Sequence, residues 1–186
     1  MRDITDRALD TATARGAAYA DIRVVRRLEE SISVKSGRLE GVSSGESEGF
    51  GVRVLVDGAW GFSSSNWLTA GEADRVAADA VRIARASATA LRNRVALDGR
   101  PPAVGRYETP FEVDPFTVPF ETKIADLLAA DAAANAVKGI AFTETTYGAQ
   151  REWKTFAASD GSFTEQVITH VGAGIESNAA KGDEQQ

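Results

Sequence analysis

Gly49-Phe50-Gly51-Val52-Arg53-Val54-Leu55-Val56-Asp57-Gly58-Ala59-Trp60-Gly61-Phe62 carries the strongest strand signal in the chain. Phe50, Val52, Val54 and Val56 recur at every second residue, the period that puts side chains on one face of a strand, and Arg53 falls on the opposite face. Asp57-Gly58 fits a two-residue hairpin loop, because both residue types tolerate positive φ. Outward from this run the period of two persists. Ile22, Val24 and Arg26 alternate with Arg23, Val25 and Arg27, and Ile32 and Val34 alternate with Ser31, Ser33 and Lys35. Ser36-Gly37-Arg38 marks a further turn. Residues 21–64 are therefore expected to form a meander of four or five antiparallel strands.

Helical spacing flanks the meander. Ile4, Ala8, Leu9 and Ala12 share one side of an opening helix, and Gly16 is a plausible stop. Thr69-Ala70-Gly71-Glu72 has capping-box form, in which Thr69 accepts from a free backbone N–H and Glu72 reaches back. Ala73, Val76, Ala77, Ala80, Ala84, Ala88 and Leu91 then make an apolar stripe of small residues, with Arg75 and Asp79 four apart on the wet side. All five prolines fall between Pro101 and Pro119, the mark of an extended connector, and its low Gly and Ser content predicts that it is ordered. A third helix is expected from Pro119 to Val137, with Phe120, Ile124, Leu127 and Leu128 inward and Gly139 ending it. Strands resume over 140–147, 151–158 and 163–175, the last two joined by Ser159-Asp160-Gly161-Ser162. The expected fold is α+β, with antiparallel or mixed meanders and helices on one face. Three regions follow: 1–95 as an amino-terminal α+β subregion, 96–118 as the Pro-rich connector, and 119–186 as helix plus meander.

Composition narrows the chemistry. At 186 residues, 43% hydrophobic and 26% charged, the chain has the make-up of an ordinary globular protein. A net charge of −6 argues against nucleic-acid binding, which relies on a basic face. No apolar run approaches the roughly 18 residues needed to span a bilayer. Met1-Arg2-Asp3-Ile4-Thr5-Asp6 has no apolar signal region, and a cytoplasmic location is expected. Zero cysteines exclude disulfides, thiol nucleophiles and cysteine-bound zinc within this stretch.

The single histidine, His170, is a candidate metal ligand or general base, but a zincin helix needs Glu next and a second His beyond it. Val171 and Gly172 follow instead, so His170 reads as an ordinary strand histidine. Ser63-Ser64-Ser65 and Ser159 offer hydroxyls without a Gly-x-Ser-x-Gly elbow, and read as turn or capping residues. Glu29-Glu30 and Asp183-Glu184 read as a solvated turn and tail. Gly172-Ala173-Gly174-Ile175-Glu176 lacks the third glycine of a dinucleotide loop, and its glycines are expected to admit a backbone or aromatic ring beside a strand. Trp60, Phe62 and Trp67 have two readings, as cover for the core of the sheet or as the lining of a groove for extended peptides. No catalytic, cofactor-binding or metal-binding residue is assigned.

Several stretches resemble the TldD/PmbA family, also called modulators of DNA gyrase. They are Ala17-Ala18-Tyr19-Ala20-Asp21-Ile22-Arg23, the whole run from Gly49 to Phe62, the capped helix from Thr69, Tyr107-Glu108-Thr109-Pro110 with Asp114-Pro115-Phe116, and Phe156-Ala157-Ala158-Ser159-Asp160-Gly161-Ser162. The late strands are more similar to the TldD branch than to PmbA. The resemblance implies a zinc metallopeptidase acting on unfolded or short peptides, within a dimer of identical or paired subunits that encloses a cavity. The family signature, a His-Glu-x-x-x-His helix whose zinc activates water and whose glutamate takes the proton, is absent from these residues. The resemblance thus implies a chain that supplies scaffold, cavity wall or dimer surface, with zinc held by polypeptide beyond it. The alternative is a non-enzymatic module that binds a peptide or partner along a sheet edge, or self-associates there.

Overall fold

In a computed structural model that describes residues 1–181, 184 and 185, three helices and seven strands make an α+β architecture. Asp183, half of the carboxylate pair singled out above, lies outside the described residues. In chain order the elements are α1 (Arg2–Ala14), β1 (Tyr19–Lys35), β2 (Arg38–Val56), β3 (Ala59–Ser65), α2 (Ala70–Ala88) and β4 (Val104–Glu108). They continue as α3 (Phe120–Asn135), β5 (Ile140–Ala158), β6 (Phe163–Lys181) and β7 (Glu184–Gln185). The strand order is β3-β2-β1-β5-β6-β4, with β7 beside β6. Pairing is mixed, since β2 and β3 run antiparallel while β4 and β6 run parallel. Among the described residues no helix is long and apolar enough to cross a membrane.

Residues 21–64 hold three strands, not four or five. Glu29-Glu30, read above as a solvated turn, stays extended inside β1, and residues 38–56 run unbroken as β2. Residues 140–158 likewise form the single strand β5. The Asp57-Gly58 hairpin forms as expected, with φ of 50° and 76° and Val56 opposite Ala59. Ser36 and Gly37 repeat the same left-handed pair between β1 and β2. Within the Pro-rich stretch, β4 is exposed throughout and is held by backbone pairing to β6.

Two units divide the chain: 1–26, 47–108 and 152–167 make the first, and 27–46, 109–151 and 168–186 the second. In the first unit, Ala8 and Ala12 of α1 and Ala73, Val76, Ala77, Ala80, Val81 and Ala84 of α2 pack on Ile22, Val24, Phe50, Val52 and Val54. Ala88 and Leu91 of the expected stripe fall at and beyond the helix end, so neither joins this core. The small residues let α2 approach closely. A Cβ at Gly61 would lie 2.1 Å from the carbonyl oxygen of Ala80 and 2.6 Å from the amide of Ala84. Only half of the capping box at Thr69 forms. Its hydroxyl accepts from the Glu72 amide at 3.3 Å, while the Glu72 carboxylate is taken by Arg75 at 2.6 Å. The Arg75–Asp79 pair sits on the wet side as expected, at 2.8 Å.

α1 and α2 are joined by Asp74. Its carboxylate accepts from Arg7 at 2.6 Å and from the Thr11 hydroxyl at 2.5 Å. In the second unit α3 covers Ile32 and Val34 through Leu127, flanked by Phe120, Ile124 and Leu128 as expected. Asp131, fully buried, accepts from the Gly37 amide and the Thr143 hydroxyl, each at 2.5 Å, and so ties α3 to the β1–β2 turn.

Gly61→Ala is expected to cost about 2–3 kcal/mol, because backbone has to move away. Gly51→Ala crowds the exposed Phe62 ring, with the nearest backbone atom at an ordinary 3.8 Å, and is expected to cost under about 1 kcal/mol. Urea midpoints at unchanged slope would read both. The Arg7 guanidinium, followed by the Thr11 hydroxyl, holds the Asp74 carboxyl at about 2, below its ordinary 3.8. Its contribution is therefore complete above the ordinary carboxylate range and is lost as pH falls from about 4 to 2. Asp74→Asn should destabilise the chain at pH 7, with the difference closing toward pH 2 in the same urea experiment.

Candidate functional site

Alternation along β1, β2 and β3 places a second set of side chains on the sheet face away from α2. Arg53 pairs with Phe62 in register and Leu55 with Trp60, so Arg53, Trp60 and Phe62 share that face. Asp21 joins them from β1, only 1% exposed. Arg53 donates to a single oxygen of Asp21, from Nε at 2.8 Å and from Nη2 at 2.7 Å. Its guanidinium lies 4.6 Å from the centroid of the Trp60 ring, and Tyr19 meets that ring edge-on at 6.0 Å. Burial and then the Asp21 carboxylate raise the Tyr19 hydroxyl above its ordinary pKa. Together with residues 96–100 and Asp160, the side chains of Tyr19, Arg53 and Trp60 line a recess of about 630 Å³ within the first unit.

The three aromatic residues proposed for a groove are thus dispersed. Trp60 lines the recess. Phe62, 57% exposed, lies over Gly51 on the same face, and Trp67, 69% exposed, sits in the loop between β3 and α2. Arg53 and Asp21 were not singled out in sequence, because residues 32 apart give no local sign of pairing.

A shallower trough of about 480 Å³ lies within the second unit, lined in part by Glu29, Glu30, Ser31, Gln150, His170 and Gly172. Glu30 is no solvated turn residue. It accepts from Lys123 at 2.5 Å with both side chains nearly buried, and the ammonium lies 5.1 Å from the Phe120 ring and 5.0 Å from the Tyr147 ring. Glu29 accepts from Gln150 at 3.2 Å. His170 is exposed. The glycines of β6 do not serve a common approach either: nothing lies within 4 Å of a Cβ at Gly172, and at Gly174 only the Thr146 hydroxyl does, at 3.3 Å.

Ser63, Ser64 and Ser65 lie in β3, and the Ser65 hydroxyl accepts from the Trp67 amide. Ser159, in the turn after β5, accepts from the Ala20 amide of β1 at 3.0 Å, a contact between residues 139 apart in sequence. Among the described residues no three His, Cys, Asp or Glu side chains gather to hold a metal ion. With Glu30 committed to Lys123 and Glu29 to Gln150, the donors around His170 do not fit a catalytic metal.

Residues 20–84 match the family model for PmbA/TldA metallopeptidase domain 1, and residues 113–186 match that for the PmbA/TldA metallopeptidase central domain. A metalloprotease of Methanothermobacter thermautotrophicus is 30% identical over 164 residues, 88% of this chain and 35% of that protein. Another, from Methanocaldococcus jannaschii, is 30% identical over 105 residues, 56% of this chain and 23% of its own length. The chain thus spans about a third or less of these curated relatives. Among solved structures, a candidate modulator of DNA gyrase from Bacteroides thetaiotaomicron superposes with a TM-score of 0.78 at 18% identity, covering 99% of this chain and 42% of that one. TldE from Thermococcus kodakarensis gives 0.65 at 15% identity over 97% and 40%. At such identities the likeness is one of fold.

The buried ion pair beside the trough has a measurable signature. Glu30→Gln leaves the Lys123 ammonium without its counter-charge and is expected to cost about 3–5 kcal/mol. The double variant Glu30→Leu with Lys123→Met should return to within about 1 kcal/mol of the native chain, since neither charge then needs a partner. A double-mutant cycle read by urea unfolding checks both.

Proposed function

Because the chain belongs to the PmbA/TldD metallopeptidase family, we propose that it is the amino-terminal part of a cytoplasmic zinc metallopeptidase acting on unfolded or short peptides. In this reading it supplies scaffold, cavity wall or dimer surface to an assembly with a second PmbA/TldD-type subunit, identical or paired. The observation that carries it is the order of the two matches, first domain then central domain, over most of these residues. One imidazole and no thiol are too few soft donors for a zinc site, so the ligands are assigned to other polypeptide.

A second reading, a module that binds along a sheet edge, draws support from β2. Arg38–Glu48 is a run of eleven exposed residues in extended conformation, and pairing with β3 begins only at Phe50. An edge of that length suits strand addition by an extended peptide.

Purified 1–186 is expected to bind no stoichiometric zinc and to leave an unfolded peptide uncut with added zinc. Hydrolysis that a chelator abolishes would sink the scaffold assignment. Metal analysis by mass spectrometry and a peptide-cleavage assay on the same sample read the two arms.

A further inference from the structure

We propose that the recess beside Arg53 and Trp60 is a binding site for the free carboxylate of a peptide's C-terminal residue. The Arg53 guanidinium is held in place from two directions. Nε and Nη2 are fixed on one oxygen of Asp21, at 2.8 and 2.7 Å, and one face rests on Trp60 at 4.6 Å. Trp60 is itself braced by the Tyr19 ring. All four groups stand on strands, so the geometry is set by the sheet and not by a loop.

The pairing leaves part of the guanidinium fork unspent. Both bonds land on Oδ2 of Asp21, and Nη1 bonds no described residue. Arg53 remains 40% exposed where Asp21 is 1% exposed, and Arg53 lines the recess while Asp21 does not. A planar cation with a free N–H edge and locked orientation is suited to a carboxylate, which accepts two parallel bonds. Arg100 adds a second cation to the rim, and Leu97 and the Trp60 ring offer apolar surface to the last side chain of a peptide.

The competing ligand is an ammonium group, drawn by Asp98 and Asp160 on the same rim. Asp160 already accepts from the Ser162 amide at 2.8 Å, and the charge of Asp98 is balanced by Arg100 in the same loop. The preorganised group is the cation, which favours the carboxylate. The inference takes from the proposed function only that the ligand is a peptide.

An N-acetylated tripeptide ending in leucine, titrated into 1–186 without metal, tests it by the indole N–H resonance of Trp60. Saturable movement is expected, and the C-terminal amide of the same peptide should bind at least about tenfold more weakly. Arg53→Lys keeps a positive charge beside Asp21 but has no planar fork, and should erase the preference for the free acid. Equal response to acid and amide, no response to either, or binding only when the amino terminus is left free would overturn the proposal. Should Arg53→Lys fail to fold, the acid–amide comparison on the native chain still decides. Because every readout is taken without metal or hydrolysis, its failure is distinguishable from failure of the peptidase reading.

Discussion

The missing side chain at Gly61 sets how near α2 lies to the sheet in the first unit. With the Ala80 carbonyl and the Ala84 amide where a Cβ would stand, helix backbone rests on strand backbone. Alanine and valine line the rest of that contact, at Ala73, Val76, Ala77, Ala80, Val81 and Ala84. The strand period does the remainder. The phase that turns Val52 and Val54 toward the helix must turn Arg53 away from it, and the same holds for Ile22 against Asp21 and for Ala59 against Trp60. The recess is therefore a consequence of core packing on the opposite face, and its side chains inherit the rigidity of the strands that carry them.

The second unit is organised by other means. Its apolar cluster is small, with Ile32, Val34 and Leu127 at the centre. Polar anchors fix what that cluster leaves loose. Asp131 holds the β1–β2 turn, Lys123 holds Glu30, and Arg151 takes both oxygens of Asp114 at 2.8 and 3.0 Å while lying about 5 Å from the Phe111 and Phe116 rings. Such groups contribute little net stability when complete, because desolvation offsets the attraction. They penalise any arrangement that leaves a partner unmet, which makes them devices of position.

What was legible in sequence follows the range of the forces involved. The Asp57-Gly58 turn, the cap at Thr69 and the inward faces of α2 and α3 depend on residues within a few positions of one another, and their patterns were open to inspection. The long strands were not. Arg38–Glu48 is exposed on both faces, so no alternation marks it as extended. β4 escaped for the same reason: Val104–Glu108 buries nothing, and backbone bonds alone define it. Of the recess, Trp60 was singled out and Arg53 noted only as facing away from the core. Its pairing with Asp21 belongs to the register between β1 and β2, which no local pattern encodes.

Recognition of the family rests on residues that serve the fold. The run from Gly49 to Phe62, which carries the resemblance most fully, is the run whose glycines have steric work to do. Gly51 makes room for the Phe62 ring, Gly58 turns the hairpin at φ 76° against Arg94, and Gly61 admits α2. These are demands of the fold, and a sequence that meets them can be assigned to the family on that ground. Fold and reaction are separable in this way because hydrolysis needs a few convergent donors, whereas the scaffold needs many small concessions of volume along its whole length.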